Sequence, residues 1–543
     1  MACSKIFSGD LPELTNEIIQ HFRKDFSTLY SCILVNRFWC RLAIPLLWEN
    51  PFFNPNRNYR YVEIYLSYLS ESSKEKFNEH GIIINNLLPS NTLFNYPSFI
   101  KFLNISSIYF SIKEWVDILV DNNHEDLEKL VYRSLFEVFI ENGGILHSFE
   151  IAMFSDIGNF NDTMELILQN PGFIYKIRNL KFQTCNISFQ NIMNIIPILN
   201  FLNSNCNSIT SLNFYFYFAL SNINDFSLIE NCLSQIIISQ LNLKIISFSS
   251  CSVILYKPFL SLRNSNCPNT LNTIIFDNID FKNIIITLQE VFDQLNVLEF
   301  IHIVNCNSLN SEFVQQIIKV TKPFKLRTLF MKEILHIESL QFLLQKCGDY
   351  LENFEFGYTS EEYEESRRQL LKLVIKYCTK IKRLISPKPD DNNIYLLIKN
   401  IGKTINYLTI NNYHDEYSSI VLQNLGQVLP SKLDYLRLSL SFNSSDLEIF
   451  LINSQHTFIK KLLISNMMQN EGEGILFYIK EYIMRKERVK YLAFSEYYPN
   501  DDTDRELFSL EDEVNEFKLH NIIVQKCSDL YTSMYSFIYD FYI

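Results

Sequence analysis

A six-residue frame, apolar at its first, fourth and sixth positions, recurs through most of this 543-residue chain. It begins as Ile177-Leu180-Phe182, Ile209-Leu212-Phe214, Leu243-Ile246-Phe248, Leu271-Ile274-Phe276, Leu298-Ile301-Ile303 and Leu326-Leu329-Met331. It continues as Leu351-Phe354-Phe356, Ile381-Leu384-Ser386, Ile405-Leu408-Ile410, Leu433-Leu436-Leu438, Ile459-Leu462-Ile464 and Val489-Leu492-Phe494. Only Ser386 breaks the apolar rule. Twelve frames in eleven steps over 312 residues give a period of about 28. Two looser frames, Ile100-Leu103-Ile105 and Leu146-Phe149-Ile151, precede them.

One such frame means nothing, because any apolar strand supplies it; twelve in series constrain the fold. The fourth and sixth positions share one face of a short strand and point into a core. The rest of each unit, as in Ser311 to Lys322 or Ser339 to Lys346, has helical apolar spacing and returns the chain along the outer side. A single unit cannot bury its own apolar face, so neighbours must stack. The period and pattern match those of leucine-rich repeats, and predict a solenoid with a parallel sheet on its concave side.

The cysteines follow the same period. Cys185, Cys251 and Cys306 lie eight residues after a frame start, where such repeats tie the turn after the strand with a buried Asn or Cys. Cys206, Cys267, Cys347 and Cys378 lie three or four residues before a frame, near the end of the preceding helix. These positions favour buried, reduced thiols over nucleophiles or metal ligands. No C-x-x-C or H-E-x-x-H is present, and no metal or cofactor is expected.

The chain carries 48 Lys plus Arg against 60 Asp plus Glu, which argues against a nucleic-acid partner. Twelve glycines are a poor supply for phosphate-cradling loops, and no such motif occurs. Neither a secretory signal nor an apolar run of membrane-spanning length is found, so an intracellular, cytoplasmic or nuclear protein without membrane contact is expected.

Residues 10–49 follow a different pattern. Asp10 is placed to cap a helix with Pro12 and Glu13 in its first turn and an apolar stripe of Leu14, Ile18, Ile19 and Phe22. A second short helix carries Leu29, Ile33 and Leu34. A third runs through Phe38, Trp39, Leu42 and Ala43 to Pro45, which should end or kink it. Three short helices bury little surface alone, so the module is expected to need a partner.

This segment resembles an F-box, in Leu11-Pro12-x-Leu14, Ile18-Ile19, Leu34-Val35-Asn36-Arg37-x-Trp39, Leu42-Ala43 and Leu47-Trp48. The family often has one more residue between the Pro and the Glu-Leu. The layout is similar to F-box proteins with leucine-rich repeats, over residues 10–49 and about 177–495. The resemblance implies a non-catalytic receptor of an SCF-type (Skp–cullin–F-box) ubiquitin ligase, docked on a Skp-type linker and through it on a cullin, with a protein substrate on the repeats. Carried over position by position, Leu11, Pro12, Leu14, Ile18, Leu34, Val35, Trp39 and Leu42 are its linker-facing or helix-packing residues. Ile19, Phe22 and Ile33 read as internal packing, and the sequence does not separate the two sets cleanly. The alternative is a leucine-rich-repeat scaffold or inhibitor with no ubiquitin-ligase role, whose helical start is only a cap.

The expected fold is therefore α/β. An F-box-like helical module (1–50) precedes a linker with irregular capping repeats (51–176), in which Lys113 to Glu141 reads as one or two amphipathic helices. The solenoid (177–499) follows, then an acidic cap or tail (500–543).

No catalytic set emerges, and the chain is not expected to be an enzyme. His124-Glu125-Asp126 and His414-Asp415-Glu416 fall in polar stretches and read as solvated loops. The substrate face should be the concave one, at the third, fifth and seventh frame positions. Those include Tyr215, Phe300, His302, Phe330, Lys332, Tyr407, Tyr435, Arg437, Lys461 and Tyr491. A band of exposed aromatic residues is a candidate protein-binding surface, unless the rings pack on each other or a tail covers them. Residues 500–517 carry a net −7, over half of the chain's −12. This is either a solvated cap or a tail folding near Lys461 and Arg437 in competition with an acidic substrate.

Overall fold

The computed structural model describes residues 11–53, 59–83, 92–119, 125–154, 160–185, 195–217, 226–251, 254–331, 336–357, 364–386, 392–412, 415–467, 474–496 and 505–539. The chain forms two compact units, Met1–Leu271 and Asn272–Ile543. Each is a stack of strand–helix repeats.

The first unit opens with three helices, α1 (Pro12–His21), α2 (Phe26–Ile33) and α3 (Arg37–Leu47). Its strands are β1 (Phe102–Asn104), β2 (Ser148–Phe154), β3 (Asn179–Cys185), β4 (Ser211–Tyr217) and β5 (Ile245–Ser249). They pair in parallel and in chain order. The second unit continues with β6 (Thr273–Asp277), β7 (Phe300–Val304), β8 (Leu326–Met331), β9 (Asn353–Phe356) and β10 (Arg383–Ser386). Then follow β11 (Tyr407–Asn412), β12 (Lys432–Leu440), β13 (Phe458–Asn466) and β14 (Val489–Glu496), again parallel and in chain order. β15 (Arg505–Glu506) joins β14 antiparallel and β16 (Ile523–Val524) joins it parallel.

The fourth position of each of the twelve frames lies on a strand, as do those of the two looser frames, Leu103 on β1 and Phe149 on β2, although Ile105 begins a helix. Their fourth positions stand in register. In the first unit Leu103, Phe149, Leu180, Leu212 and Ile246 form one buried row. In the second, Leu329, Phe354, Leu384, Leu408, Leu436, Leu462 and Leu492 form another. Parallel neighbours in chain order, joined by right-handed crossovers that all step one way, put the helices of each unit on one face of its sheet. The alternate strand positions therefore occupy the face opposite these returning helices.

The ladder slips between β7 and β8. Ile303, not Ile301, stands beside Leu329, and within this pairing Arg327 is an extra residue in β8 that stacks its guanidinium on the Phe300 ring at 4.4 Å. Strand exits are also regular. Ser250, Asn278 and Asn305 directly follow β5, β6 and β7, with φ of 53°, 53° and 51°. That left-handed turn suits Asn, whose short polar side chain tolerates it. Cys251 and Cys306 come next and are buried, the Cys306 thiol donating to the Phe276 carbonyl at 3.5 Å. Burial pushes the thiols of Cys206 and Cys378 up to about 12 and that of Cys267 up to about 11. Cys185's side chain lies outside the described residues.

Two local expectations are corrected, and a third is met. Pro45 does not end α3, which runs to Leu47 while the Trp48 N–H still reaches the Ile44 carbonyl at 3.1 Å. The acidic pairs read as loops begin helices instead, Glu125–Glu141 and Asp415–Val428, where carboxylates favour the N-terminal dipole. His124 and His414 lie outside the described residues. Lys113 to Glu141 spans two helices, the first being Ile105–Leu119. Among the described residues, no helix is long and apolar enough to cross a membrane.

Adjacent helices in the second unit approach closely at Gly426. A Cβ there would lie 2.8 Å from the Asn453 Cβ and 2.9 Å from the Phe450 carbonyl oxygen. Gly426→Ala should therefore cost about 1–3 kcal/mol by overpacking, despite alanine's better helix propensity. Thermal melting checks this, and a raised midpoint contradicts it.

Candidate docking module and binding face

The N-terminal helices pack around Ile19, Leu29, Cys32, Trp39, Ala43 and Leu46. Two side-chain caps start them that the sequence reading missed. The Asp25 carboxylate accepts from the Thr28 N–H at 3.0 Å and the Asn36 side chain from the Trp39 N–H at 2.9 Å. The Thr28 hydrogen bonds hold the Asp25 carboxyl below its usual range. The signal was present as Asp or Asn three residues before a donor. Leu11 occupies the N-cap of α1, and Asp10 lies outside the described residues.

The structure sorts the eight resemblance-derived positions. Trp39 belongs to the core of the module, with 7% of its surface exposed. Ile18 and Leu42 are half-buried, and Leu42 packs against that core. Leu11, Pro12, Leu14, Leu34 and Val35 are exposed, Leu34 by 76%. Phe26 and Tyr30, which the motif did not single out, are exposed beside them on α2.

The module is fixed to the first repeats by a buried carboxylate. Glu49 is 2% exposed and pairs with Arg23 at 3.1 Å and Lys101 at 2.6 Å. Its carbonyl accepts from the Lys101 and Phe102 N–H groups, at 3.0 Å each, at the start of β1. Trp48 adds a stack on Tyr96 at 4.0 Å and an edge contact with Tyr61. Glu49→Ala should cost about 1–3 kcal/mol, since it strips two cations of their acceptor. Earlier proteolysis between α3 and β1 should report it; wild-type resistance contradicts the tie.

On the face of the second unit opposite its returning helices, part of the expected band is a true register row. Arg383, Tyr407, Tyr435, Lys461 and Tyr491 are cross-strand neighbours over β10–β14. Tyr407 and Tyr435 stack with ring centroids 4.3 Å apart. Toward β7 the row turns polar. His302 Nδ1 lies 2.8 Å from the Thr328 hydroxyl, Asn353 donates to that hydroxyl at 2.7 Å, and Arg383 donates to Asn353 at 2.9 Å. Burial pushes the His302 imidazole down to about 3. Phe300 and Arg437 are half-buried, Tyr215 belongs to the first unit, and Lys332 lies outside the described residues.

The face is not open where the sequence expects it to be. His302, Phe330, Tyr407 and Tyr435 are at most 4% exposed. After β16 the C-terminal segment turns back across the sheet, from β14 toward β6. Leu530 packs on Leu463 and Ala493. The Arg437 guanidinium lies 4.7 Å from the Tyr531 ring centre. The Tyr407 hydroxyl donates to the Thr532 carbonyl, and Asn305 donates to the Tyr535 hydroxyl. Phe537 meets Tyr407 edge-on at 5.1 Å and lies under Arg383 at 4.2 Å. Ile538 is buried with Ile275, Val304 and Phe330. Burying Leu530 and Ile538 stabilises this docking by about 1.5–3 kcal/mol each, and each aromatic contact adds about 0.5–1.5.

Acidic residues do not carry that docking. Glu513 and Glu516, on the helix Glu511–Leu519, pair with Lys480, not with Lys461 or Arg437. Asp501, Asp502 and Asp504 lie outside the described residues. What covers Arg437 is an aromatic ring, in an uncharged run from Leu530 to Tyr539 that composition could have signalled.

Glu355 projects from β9 on this face, and burial raises its carboxyl to about 7 from 4.5. Between those values the folded chain keeps a proton that the unfolded chain has lost, so the fold weakens as pH rises through that window. His302 acts oppositely: neutral when folded and protonated when unfolded between about 3 and 6.5, it weakens the fold as pH falls. Glu355→Gln should therefore gain in urea midpoint over wild type as pH rises from about 4.5 to 7.5, and a pH-independent difference contradicts this.

A scan against protein-family models finds no match to this chain, and no curated protein matches it.

Proposed function

We propose that this chain is a non-catalytic substrate-recognition subunit of an SCF-type ubiquitin ligase. Its N-terminal helices dock on a Skp-type linker, and through it on a cullin, while the repeats hold a protein substrate. One observation carries the reading. Leu11, Leu14, Phe26, Tyr30, Leu34 and Val35 are exposed on a module whose own core is already filled by Ile19, Leu29 and Trp39. Six exposed apolar and aromatic side chains on a small packed module suit a protein-binding surface, and the F-box resemblance supplies the partner. The tie through Glu49 supports the same reading, because a receptor must hold its client at a fixed place relative to the linker. Such a subunit raises the effective concentration of substrate near a charged carrier enzyme and needs no catalytic group of its own.

The division between exposed and buried positions sharpens the test. Leu14→Asp and Leu34→Asp should each weaken binding of a purified Skp-type linker by about 30-fold, a loss of about 2 kcal/mol, with an unchanged melting midpoint. Trp39→Ala should act through the fold instead, costing about 3–5 kcal/mol. Titration calorimetry with the linker and thermal melting separate the two. Undiminished binding by both Asp variants overturns the assigned surface. No binding by the wild-type chain favours a repeat scaffold or inhibitor without a ligase role.

A further inference from the structure

The face of the second unit opposite its returning helices already holds a peptide segment of the same chain, residues 530–539, of which Met534–Tyr539 is a short helix. We propose that this face is a groove for uncharged, aromatic-bearing peptide segments, and that residues 530–539 occupy it in cis as a displaceable competitor. The receptor reading gives the displaced state its purpose, but the docking itself does not depend on it.

Three features distinguish this segment from a structural repeat. It adds no strand over β6–β13, being joined to the sheet's edge only through β16 on β14. Its hold on the face is mainly by side chains, with Tyr531, Tyr535 and Phe537 as aromatic anchors beside one backbone acceptor, the Thr532 carbonyl. The seat is imperfect: Tyr531 stays 50% exposed, and Tyr535 and Phe537 are only partly buried. Beneath Tyr531 and Ser528 a cavity of about 470 Å³ remains, floored by Arg437, Ser439, Ser465 and Ser495. A segment whose fully buried anchors are few, with partly exposed rings between them, opens well before the sheet does.

The floor sets the chemistry of the occupant. Arg383 and Arg437 each present a guanidinium to an aromatic ring, Phe537 and Tyr531. At the β6–β9 end, Asp277 and Glu355 both raise the Tyr535 phenol toward about 12, after burial itself, so an anionic residue is disfavoured there. Apolar walls from Ile275, Val304 and Phe330 accept a branched side chain such as Ile538. The tail meets these demands with no charged residue from Leu530 to Tyr539. A competing partner needs two aromatic residues at similar spacing, an aliphatic one beside the second, and no carboxylate between them.

The test uses full-length protein and an N-terminally labelled synthetic peptide with the sequence of residues 526–539. Fluorescence anisotropy should show binding at least about tenfold tighter to full-length Y535A/F537A than to the wild-type chain, whose groove is filled. The same peptide carrying both Ala changes should bind neither. Absence of peptide binding to a folded Y535A/F537A chain overturns the proposal, as does equal binding to both chains. Hydrogen exchange of the wild-type protein gives a second reading if that variant fails to fold. Amides of residues 530–539 should exchange at least about a hundredfold faster than those of β11–β13, and equal protection overturns displaceability. Neither readout involves the N-terminal helices, so failure to bind a Skp-type linker leaves this test standing, and the converse holds.

Discussion

The structure depends on one row of apolar side chains in each unit, the fourth frame position held in register from strand to strand. Because the residues are Leu, Ile or Phe at nearly every step, each strand buries its row against its neighbours and its returning helix. No repeat completes a core by itself, so the stack is cooperative between neighbours. The parity of a strand does the rest. Whatever occupies the alternate positions is delivered to the face opposite the returning helices, where a peptide can lie.

That division explains why the two candidate surfaces differ in kind. The N-terminal surface is a set of convex apolar side chains on helices that have spent Trp39 and Leu29 on their own core. On the second-unit face one cross-strand row runs from tyrosines at β11 and β12 to polar side chains at β7–β10, with apolar Ile275, Val304 and Phe330 beside it, and residues 530–539 already cover it. In the proposed reading the first takes one constant partner and the second exchangeable ones, since contacts made mostly by side chains can be replaced piecemeal.

Much of this was legible in sequence because it is periodic. Twelve frames predicted twelve strands, and the third and fifth positions located Tyr407, Tyr435, Lys461 and Tyr491 in one row. Period also placed Cys251, Cys306, Cys206 and Cys347 in buried sites. What stayed hidden depends on contacts between distant residues. Glu49 meets Lys101 52 positions away, and Tyr535 meets Asn305 230 positions away; no local pattern encodes either. The Arg327 bulge is a register event, invisible to a frame that allows variable spacing. Trp39 could not be assigned to core or surface from its spacing, because both faces of a short helix in this module are apolar. The acidic stretch drew attention to the wrong half of the C-terminus: its charge pairs with Lys480, while the uncharged aromatic run does the docking.

The central claim is that the exposed apolar side of the N-terminal module is built for a constant partner while the repeats serve another. Sedimentation of the full-length chain mixed with a purified Skp-type linker tests it most directly. A one-to-one complex at micromolar concentrations, with the labelled C-terminal peptide neither helping nor hindering it, is the predicted result. Two species sedimenting independently at tens of micromolar would contradict it.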